Sequence, residues 1–471
     1  MTINFNKPVA AVVLCAGRGE RMKSKKTKML HEVCGRPLCA WSVEAASEVA
    51  TDKVVVVLGH QAAEVRAALE ERFSGRLTYV VQTEQKGTGH ALQVALTELG
   101  AFDGTLLVCY GDTPLIEAKE LRELVSAQQA SDGPLAFLTV ELPEPQGYGR
   151  VIRGAHGRAD RIVEEKEATD AQRAINEVNS GIYAIDAAFA RQAAAKLVPS
   201  AVKHEYYLTD LVAAAAAKGG ASAQKVAPHQ AHLLLGVNDR AQLQTCEVWL
   251  RMRINAKWME AGVTLASAAQ IIDGDVQLAA DVYVGPGAVL RGKTRVGAGS
   301  RIDAGAVLTD TVVGENAVVH PYSVCDGAEI GDNVSVGPFA RLRPGTVLDA
   351  DVKIGNFVEV KKSRFRRGSK ANHLAYVGDT DVGEQTNIGA GTITCNYDGF
   401  SKFETTLGKG VFIGSNSTLV APVTVEDGAY VAAGSVITER VPADATAFGR
   451  ARQENKEGHA KKLRERKKQS P

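Results

Sequence analysis

An excess of charge of either sign is missing from this 471-residue chain: 55 Lys and Arg stand against 54 Asp and Glu, a formal net charge of +1. No whole-protein field therefore draws it to nucleic acid or to a membrane surface. Cysteine is sparse. The seven present, at 15, 34, 39, 109, 246, 325 and 395, are odd in number, scattered and never in a C-x-x-C pair. That argues against a disulfide framework or a zinc site and fits a reducing cytoplasm. Long apolar runs are lacking at the N-terminus, where Val9–Ala16 is too short to span a membrane and has no signal-peptide layout. What remains is ordinary for a soluble protein: 45% hydrophobic and 23% charged residues, at a length that predicts about three domains.

One stretch, residues 276–440, organises the rest. Leu278, Val284, Leu290, Val296, Ile302 and Leu308 stand six apart, as do Ile330 to Val360 and then Ile413 to Ile437. One aliphatic per six residues, often followed by Gly, predicts a parallel β-helix whose coils must stack to bury their inner faces. A plain scaffold is the default reading of such a tract. The interval from Leu308 to Ile330 is 22 residues, which predicts one irregular coil, and after Ile388 the rhythm lapses until Ile413. Cys395–Phe403 falls in that second break, and a polar insertion in a solenoid predicts a loop projecting from one face.

The first half alternates short aliphatic runs (Val9–Ala16, Lys53–Leu58, Leu77–Gln82, Thr105–Tyr110, Leu135–Val140) with helical stretches such as Trp41–Ala50 and Gln61–Phe73. That pattern predicts an open α/β sheet, with ligands at the carboxyl ends of its strands. After the first run comes Gly17-Arg18-Gly19-Glu20-Arg21-Met22-Lys23, then Lys25, Lys26 and Lys28. Glycines and cations suit phosphate, although this is neither a dinucleotide fingerprint nor a Walker loop, and a solvated glycine turn is the plainer alternative. Gln82 to His90, with Gly87-Thr88-Gly89, can read a base edge or serve as a turn. Asp112, in Tyr110-Gly111-Asp112-Thr113-Pro114, is either a magnesium ligand or a turn cap.

Gly147–Ile152 and Arg161–Lys166 predict an antiparallel flap, and Asn179-Ser180-Gly181 opens another strand that can meet sugar hydroxyls or simply turn. Asn238 offers a carbonyl oxygen to a metal, or else caps the following helix. That helix carries Leu243, Leu250, Ile254 and Trp258 on one face, opens with Asp239 and Gln242 in capping-box spacing, and predicts a rigid linker. Trp249 and Trp258 read as packing. In the hexad tract the cations Arg341, Arg343, Lys361, Lys362, Arg364, Arg366, Arg367 and Lys370, a binding patch or else a solvated basic face, run up to His373, whose imidazole suits general base work at a thioester although a lone His is more often structural. The tail 453–471 reads as a solvated basic tail or a short helix, with RNA binding an outside alternative.

With these residues in view, the chain resembles the bacterial bifunctional N-acetylglucosamine-1-phosphate uridylyltransferase/glucosamine-1-phosphate acetyltransferases from about residue 8 to about residue 452. The most specific stretches are Gly355-Asn356-Phe357-Val358-Glu359, Asn387 to Ile393 and Cys395-Asn396-Tyr397-Asp398-Gly399. The resemblance implies a Rossmann-like nucleotidyltransferase domain (1–236), a helical linker (237–262) and a left-handed parallel β-helix acetyltransferase domain of hexapeptide repeats (263–452). It gives Leu14, Cys15, Ala16, Gly17 and Lys28 to the nucleotide phosphates and Gln82, Gly87 and Thr88 to the uracil nucleotide. Tyr110, Gly111 and Asp112 fall to substrate and metal, Gly149, Glu164 and Asn179 to the amino sugar, and Asp112 with Asn238 to Mg²⁺. In the β-helix it makes His373 the base and gives Arg343, Lys361, Tyr376, Asn387 and Lys402 to the sugar phosphate. Ala390, Asn396, Tyr397, Ser415, Ala433 and Arg450 would meet acetyl-CoA. Two residues depart from the family: Cys15 stands where it usually has Ala, and Thr27 where it usually has a Pro, whose loss of a fixed φ predicts a looser Lys28.

The implied activity is acetyl transfer from acetyl-CoA to glucosamine-1-phosphate, then uridylyl transfer from UTP to give UDP-N-acetylglucosamine, in a cytoplasmic homotrimer binding neither nucleic acid nor membrane. One rival keeps only a sugar-nucleotide pyrophosphorylase with a non-catalytic, trimerising β-helix. A second is a nucleotide-sensing module without catalysis.

Overall fold

The computed structural model describes residues 5–154 and 157–469. The chain divides into two compact units, Met1–Arg253 and Ile254–Pro471.

The first unit is built on a nine-stranded sheet. At its centre Val9–Cys15 pairs in parallel with Val54–Leu58 on one side and Thr105–Tyr110 on the other. Alternate residues of that strand face opposite layers. Val9, Ala11, Val13 and Cys15 pack with the helix Leu38–Ser47, whereas Ala10, Val12 and Leu14 pack with the helix Thr88–Leu99. Burial on both faces explains why the strand reads as an unbroken aliphatic run rather than an alternating one. Beyond Thr105–Tyr110 the sheet turns mixed, because Glu177–Asp186 runs antiparallel to its neighbours on both sides. The flap forms as expected, Arg150–Arg153 pairing antiparallel with Ala159–Val163. The helix expected over Trp41–Ala50 starts three residues earlier, at Leu38, directly after Pro37.

The helix Arg240–Glu260 is present, and Asp239 Oδ1 accepts from Gln242 N at 2.9 Å. The reciprocal bond differs from the box expected: Gln242 Oε1 accepts from Asn238 N (2.7 Å), one residue earlier. Trp249 stacks on His232 with ring centroids 4.0 Å apart, a packing role.

The second unit is the left-handed parallel β-helix, its described strands falling into three sheets of eleven, ten and nine. Each strand pairs with the strand one coil on, as Val284 with Ile302 and Leu290 with Leu308. The inward aliphatics are almost completely buried. At about 1.5–3 kcal/mol for each such side chain, the stack is the main source of this unit's stability. Two places before the inward residue a buried Ser or Thr fills the corner and caps backbone carbonyls, as Thr294 Oγ1 to Arg291 O (2.7 Å) and Ser369 Oγ to Arg366 O (2.6 Å). A Cβ at Gly331 would sit 2.9 Å from Leu348 O of the next coil, so the glycine allows the close stacking there.

The irregular coil expected between Leu308 and Ile330 is regular in topology. Val313, Val319 and Cys325 take the inward positions, with two five-residue steps replacing sixes. Neither does the rhythm stop at Ile388. Buried Thr394 is the next inward residue, and the insertion lies between it and Leu407.

Candidate active sites

In the first unit the parallel register sets Leu14 beside both Val57 and Tyr110, so the loops following three strands leave the sheet at one edge. A cavity of about 360 Å³ opens there, lined by Leu14, Gly17, Gln82, Gly87, Thr88 and Asp112 among others. A larger one, about 640 Å³, is lined by Arg18, Arg21, Lys28, Glu164, Lys203 and Asn238 among others. Lys28 lines both.

Lys28 is the buried cation of its loop, and its Nζ lies 2.5 Å from Asp112 Oδ2 and 3.3 Å from Asn238 Oδ1. Lys26 instead meets Glu32 at the exposed surface, 3.7 Å away. The looser lysine expected from Thr27 is not found. Thr27 has φ −58°, the value a proline would impose, and its N–H donates to Gln61 Oε1 at 2.6 Å, a bond proline could not make. Cys15 tucks under Gly111, where a Cβ would collide with Cys15 Sγ and lie 3.2 Å from Met29 Sδ.

Gln82 is buried, with Nε2 donating to Gly87 O (3.0 Å) and standing 3.0 Å from His90 Nδ1. Thr88 Oγ1 accepts from Leu208 N at 3.0 Å, and Gly89 N donates to Tyr206 O at 2.8 Å, so the segment around Tyr206 is laid against Gly87-Thr88-Gly89. Gly149, Glu164 and Asn179 come together: Asn179 N donates to Gly149 O (2.9 Å), and a Cβ on Gly149 would lie 3.6 Å from Glu164 Oε1. Burial pushes the Glu164 carboxyl above its usual range, partly offset by Thr209 Oγ1 donating at 3.0 Å. Burial likewise raises the Tyr110 hydroxyl, with the Glu164 charge adding to it.

Sequence reasoning missed Lys203, Tyr207 and Thr209, which carry no motif and meet the site only through folding. Gly181, read only as part of a turn, has φ 82°, and a Cβ there would strike the Tyr110 ring.

In the β-helix, Arg343, Lys361 and Gly378 stand at matching places on successive coils. Lys361 Nζ lies 3.5 Å from Asp379 Oδ2, which also accepts from Asn396 Nδ2. The neighbouring Lys361 ammonium holds the Lys402 pKa down. Gly378 is the floor, since a Cβ on it would lie 2.9 Å from Asn396 Nδ2 and about as near Tyr376 Oη, at 2.5 Å. Two lysines beside a phenol and an amide can hold an anion, with the Asp379 carboxylate already bound to Lys361 and Asn396.

A neighbouring corner carries His373. Backbone bonds from Leu374 N to Asn356 O (3.0 Å), Gly391 N to Leu374 O (2.8 Å), Asn416 N to Ala390 O (2.7 Å) and Gly434 N to Ser415 O (2.8 Å) run up this corner. His373, Ala390, Ser415 and Ala433 therefore climb one edge. Asn387 sits on the adjoining sheet face opposite Lys370, and Arg450 is exposed beyond the last strand. The insertion is a small hairpin in which Tyr397 pairs with Lys402, and Asp398 Oδ1 accepts from Phe400 N (2.8 Å) and Ser401 N (2.7 Å).

The cationic stretch is less concentrated than its spacing predicts. Arg364, Arg366 and Arg367 pair with Asp349 (2.9 Å), Asp381 (2.8 Å) and Asp351 (3.0 Å), and Arg364 belongs to a different sheet from Arg343 and Lys361. Neighbours in sequence turn to different faces within a single coil.

Residues 11–178 match the MobA-like NTP transferase domain family, 267–364 the GMPPB C-terminal domain and 404–439 the bacterial transferase hexapeptide repeats. The Bifunctional protein GlmU of Sorangium cellulosum (strain So ce56) is 48% identical over 463 residues, covering 98% of this chain and 97% of the relative. That of Trichlorobacter lovleyi is 45% identical, covering 97% and 99%. The chain belongs to the bifunctional GlmU family. The GlmU protein of Halalkalibacterium halodurans matches at 43% over 96% of this chain. As a GlmU-family member it is a two-reaction transferase that uses acetyl-CoA, UTP and Mg²⁺ and makes UDP-N-acetylglucosamine by the two steps its resemblance implied, which removes the rival reading of a non-catalytic β-helix. No described helix is long and apolar enough to cross a membrane.

Proposed function

We propose that each reaction has its own site, uridylyl transfer in a domain of residues 1–236 and acetyl transfer in a β-helix domain of 263–452, with 237–262 as linker and 453–471 as a basic tail. The observation that carries this reading is the pair of separate constellations, Lys28–Asp112–Asn238 in one unit and Lys361–Asp379–Lys402 near His373 in the other.

In the first, Leu14, Cys15, Ala16 and Gly17 present backbone to the nucleotide phosphates. Gln82, Gly87 and Thr88 hold the uracil nucleotide, with Gln82 Oε1 the atom left for the base because Nε2 is engaged. Tyr110, Gly111, Gly149, Glu164 and Asn179 hold the amino sugar. The sugar phosphate oxygen attacks the α-phosphorus and pyrophosphate leaves, while Arg18, Arg21 and Lys28 offset the charge. Asp112 and Asn238 fit a hard cation, since a lysine ammonium already lies between their two oxygens. Mg²⁺ bound there supplies further charge neutralisation at the phosphates.

In the second, Arg343, Lys361, Tyr376, Asn387 and Lys402 bind the sugar phosphate and so fix its amine. Ala390, Asn396, Tyr397, Ser415, Ala433 and Arg450 receive acetyl-CoA. His373 takes the amine proton as nitrogen attacks the thioester carbonyl, and the CoA thiol departs. A homotrimer in the cytoplasm is the assembly and compartment this reading favours. The test is His373→Ala, which is expected to abolish thiol release from acetyl-CoA and spare pyrophosphate release from UTP. Loss of both activities in a folded variant sinks the two-site reading.

A further inference from the structure

The side chain beside His373 belongs to a residue with no role so far. Strand Lys353–Asn356 pairs in parallel with strand Lys370–His373, and their register sets Asn356 opposite His373. The two backbones run close: a Cβ on Gly355 would collide with Asn372 O, so glycine is needed at that position. With the strands this near, His373 Nδ1 and Asn356 Oδ1 come to 3.0 Å.

An amide oxygen only accepts, so the bond requires the proton on Nδ1. The lone pair of the neutral ring then resides on Nε2. A bare imidazole divides its proton between both nitrogens and turns about its side-chain torsions, whereas this one has its tautomer and ring plane fixed by a neighbour.

We propose that Asn356 is the positioning residue of the acetyltransferase site, holding His373 in the Nδ1–H tautomer with Nε2 presented as base. The role rests on the reading of His373 as base given above. It is the arrangement by which an acceptor on one imidazole nitrogen prepares the other, here with a neutral amide in place of a carboxylate. The neutral partner has a consequence: Asn356 orients the ring while stabilising an imidazolium less than a carboxylate would. The charged or titratable side chains on the paired and adjoining strands are Lys353, Lys370, Glu359, Lys361 and Tyr376.

The experiment compares Asn356→Ala, Asn356→Asp and His373→Ala in the full-length enzyme, following thiol release from acetyl-CoA with glucosamine-1-phosphate across pH, with pyrophosphate release from UTP as the check on folding. Asn356→Ala is expected to lower kcat for acetyl transfer about tenfold to a hundredfold, with KM for both substrates little changed. Asn356→Asp keeps the acceptor and adds a negative charge that favours the imidazolium, so the acid limb of kcat/KM is expected to move up by about one pH unit. Being isosteric, it carries the test if the alanine variant does not fold. Unchanged kcat in Asn356→Ala, or an acid limb that stays in place in Asn356→Asp, overturns the positioning role while leaving His373 as base. Full acetyl transfer by His373→Ala overturns the base reading itself.

Discussion

The ammonium of Lys28 lies between the carboxylate of Asp112, at 2.5 Å, and the amide oxygen of Asn238, at 3.3 Å, although the three residues are separated by 84 and 210 positions in sequence. Lys28 is largely buried and Asp112 mostly so. Burying an ammonium is costly unless oxygen acceptors replace its water, and these two acceptors make the same position suitable for a divalent cation.

Replacing Asp112 by Ala removes the charged member of this pair. Pyrophosphate release from UTP and N-acetylglucosamine-1-phosphate is expected to fall on the order of a hundredfold or more. Acetyl transfer should be unchanged, because Asp112 and His373 belong to different compact units. Coupled assays of both products on one preparation check it, and retained uridylyl transfer rejects the ligand role of Asp112.

The fold was legible where one residue type recurs at a fixed interval. The hexad aliphatics announce the β-helix because only an inward side chain has to be apolar. The same tract hid Val313, Cys325 and Thr394, since a five-residue step or a polar inward residue breaks the interval without breaking the coil. The loops after Cys15, Val81 and Tyr110 were found because parallel strands end at one edge. Thr209 and Lys203 were not, because they reach the site from a distant segment and have no periodic or motif signal. Charge spacing misled for a related reason: a coil of about eighteen residues carries Arg343 and Arg364 to different sheets. The Asn356–His373 contact is likewise a matter of register between coils, seventeen residues apart.

Gly181 offers a test of the proposed sugar pocket that touches no polar group. Its φ of 82° disfavours any L side chain, and an added Cβ would meet the Tyr110 ring. Gly181→Ala is expected to cost about 2 kcal/mol or more from backbone strain and overpacking together. The displaced Tyr110 should also raise KM for the sugar phosphate in the uridylyl reaction. Urea denaturation and initial-rate kinetics check both, and a variant as stable as the parent contradicts the packing described.

Glu164 gives a prediction with a definite sign in pH. Its folded pKa lies above the unfolded value because burial disfavours the carboxylate. Such a group contributes its stability fully below the unfolded pKa, about 4.3, and loses it as pH rises through the raised folded value. When ionised the side chain is therefore a net cost, one that suits its proposed role as an acceptor for sugar hydroxyls. Glu164→Gln imitates the protonated form and keeps an oxygen for Thr209 Oγ1. The variant is expected to melt higher than the parent near pH 7.5, with the difference shrinking toward zero near pH 4, while uridylyl transfer falls through a raised KM for the sugar phosphate. Paired melting curves at the two pH values decide it. A difference that does not change with pH, or a variant less stable at pH 7.5, shows that burial of the charge is not what sets the balance at this position.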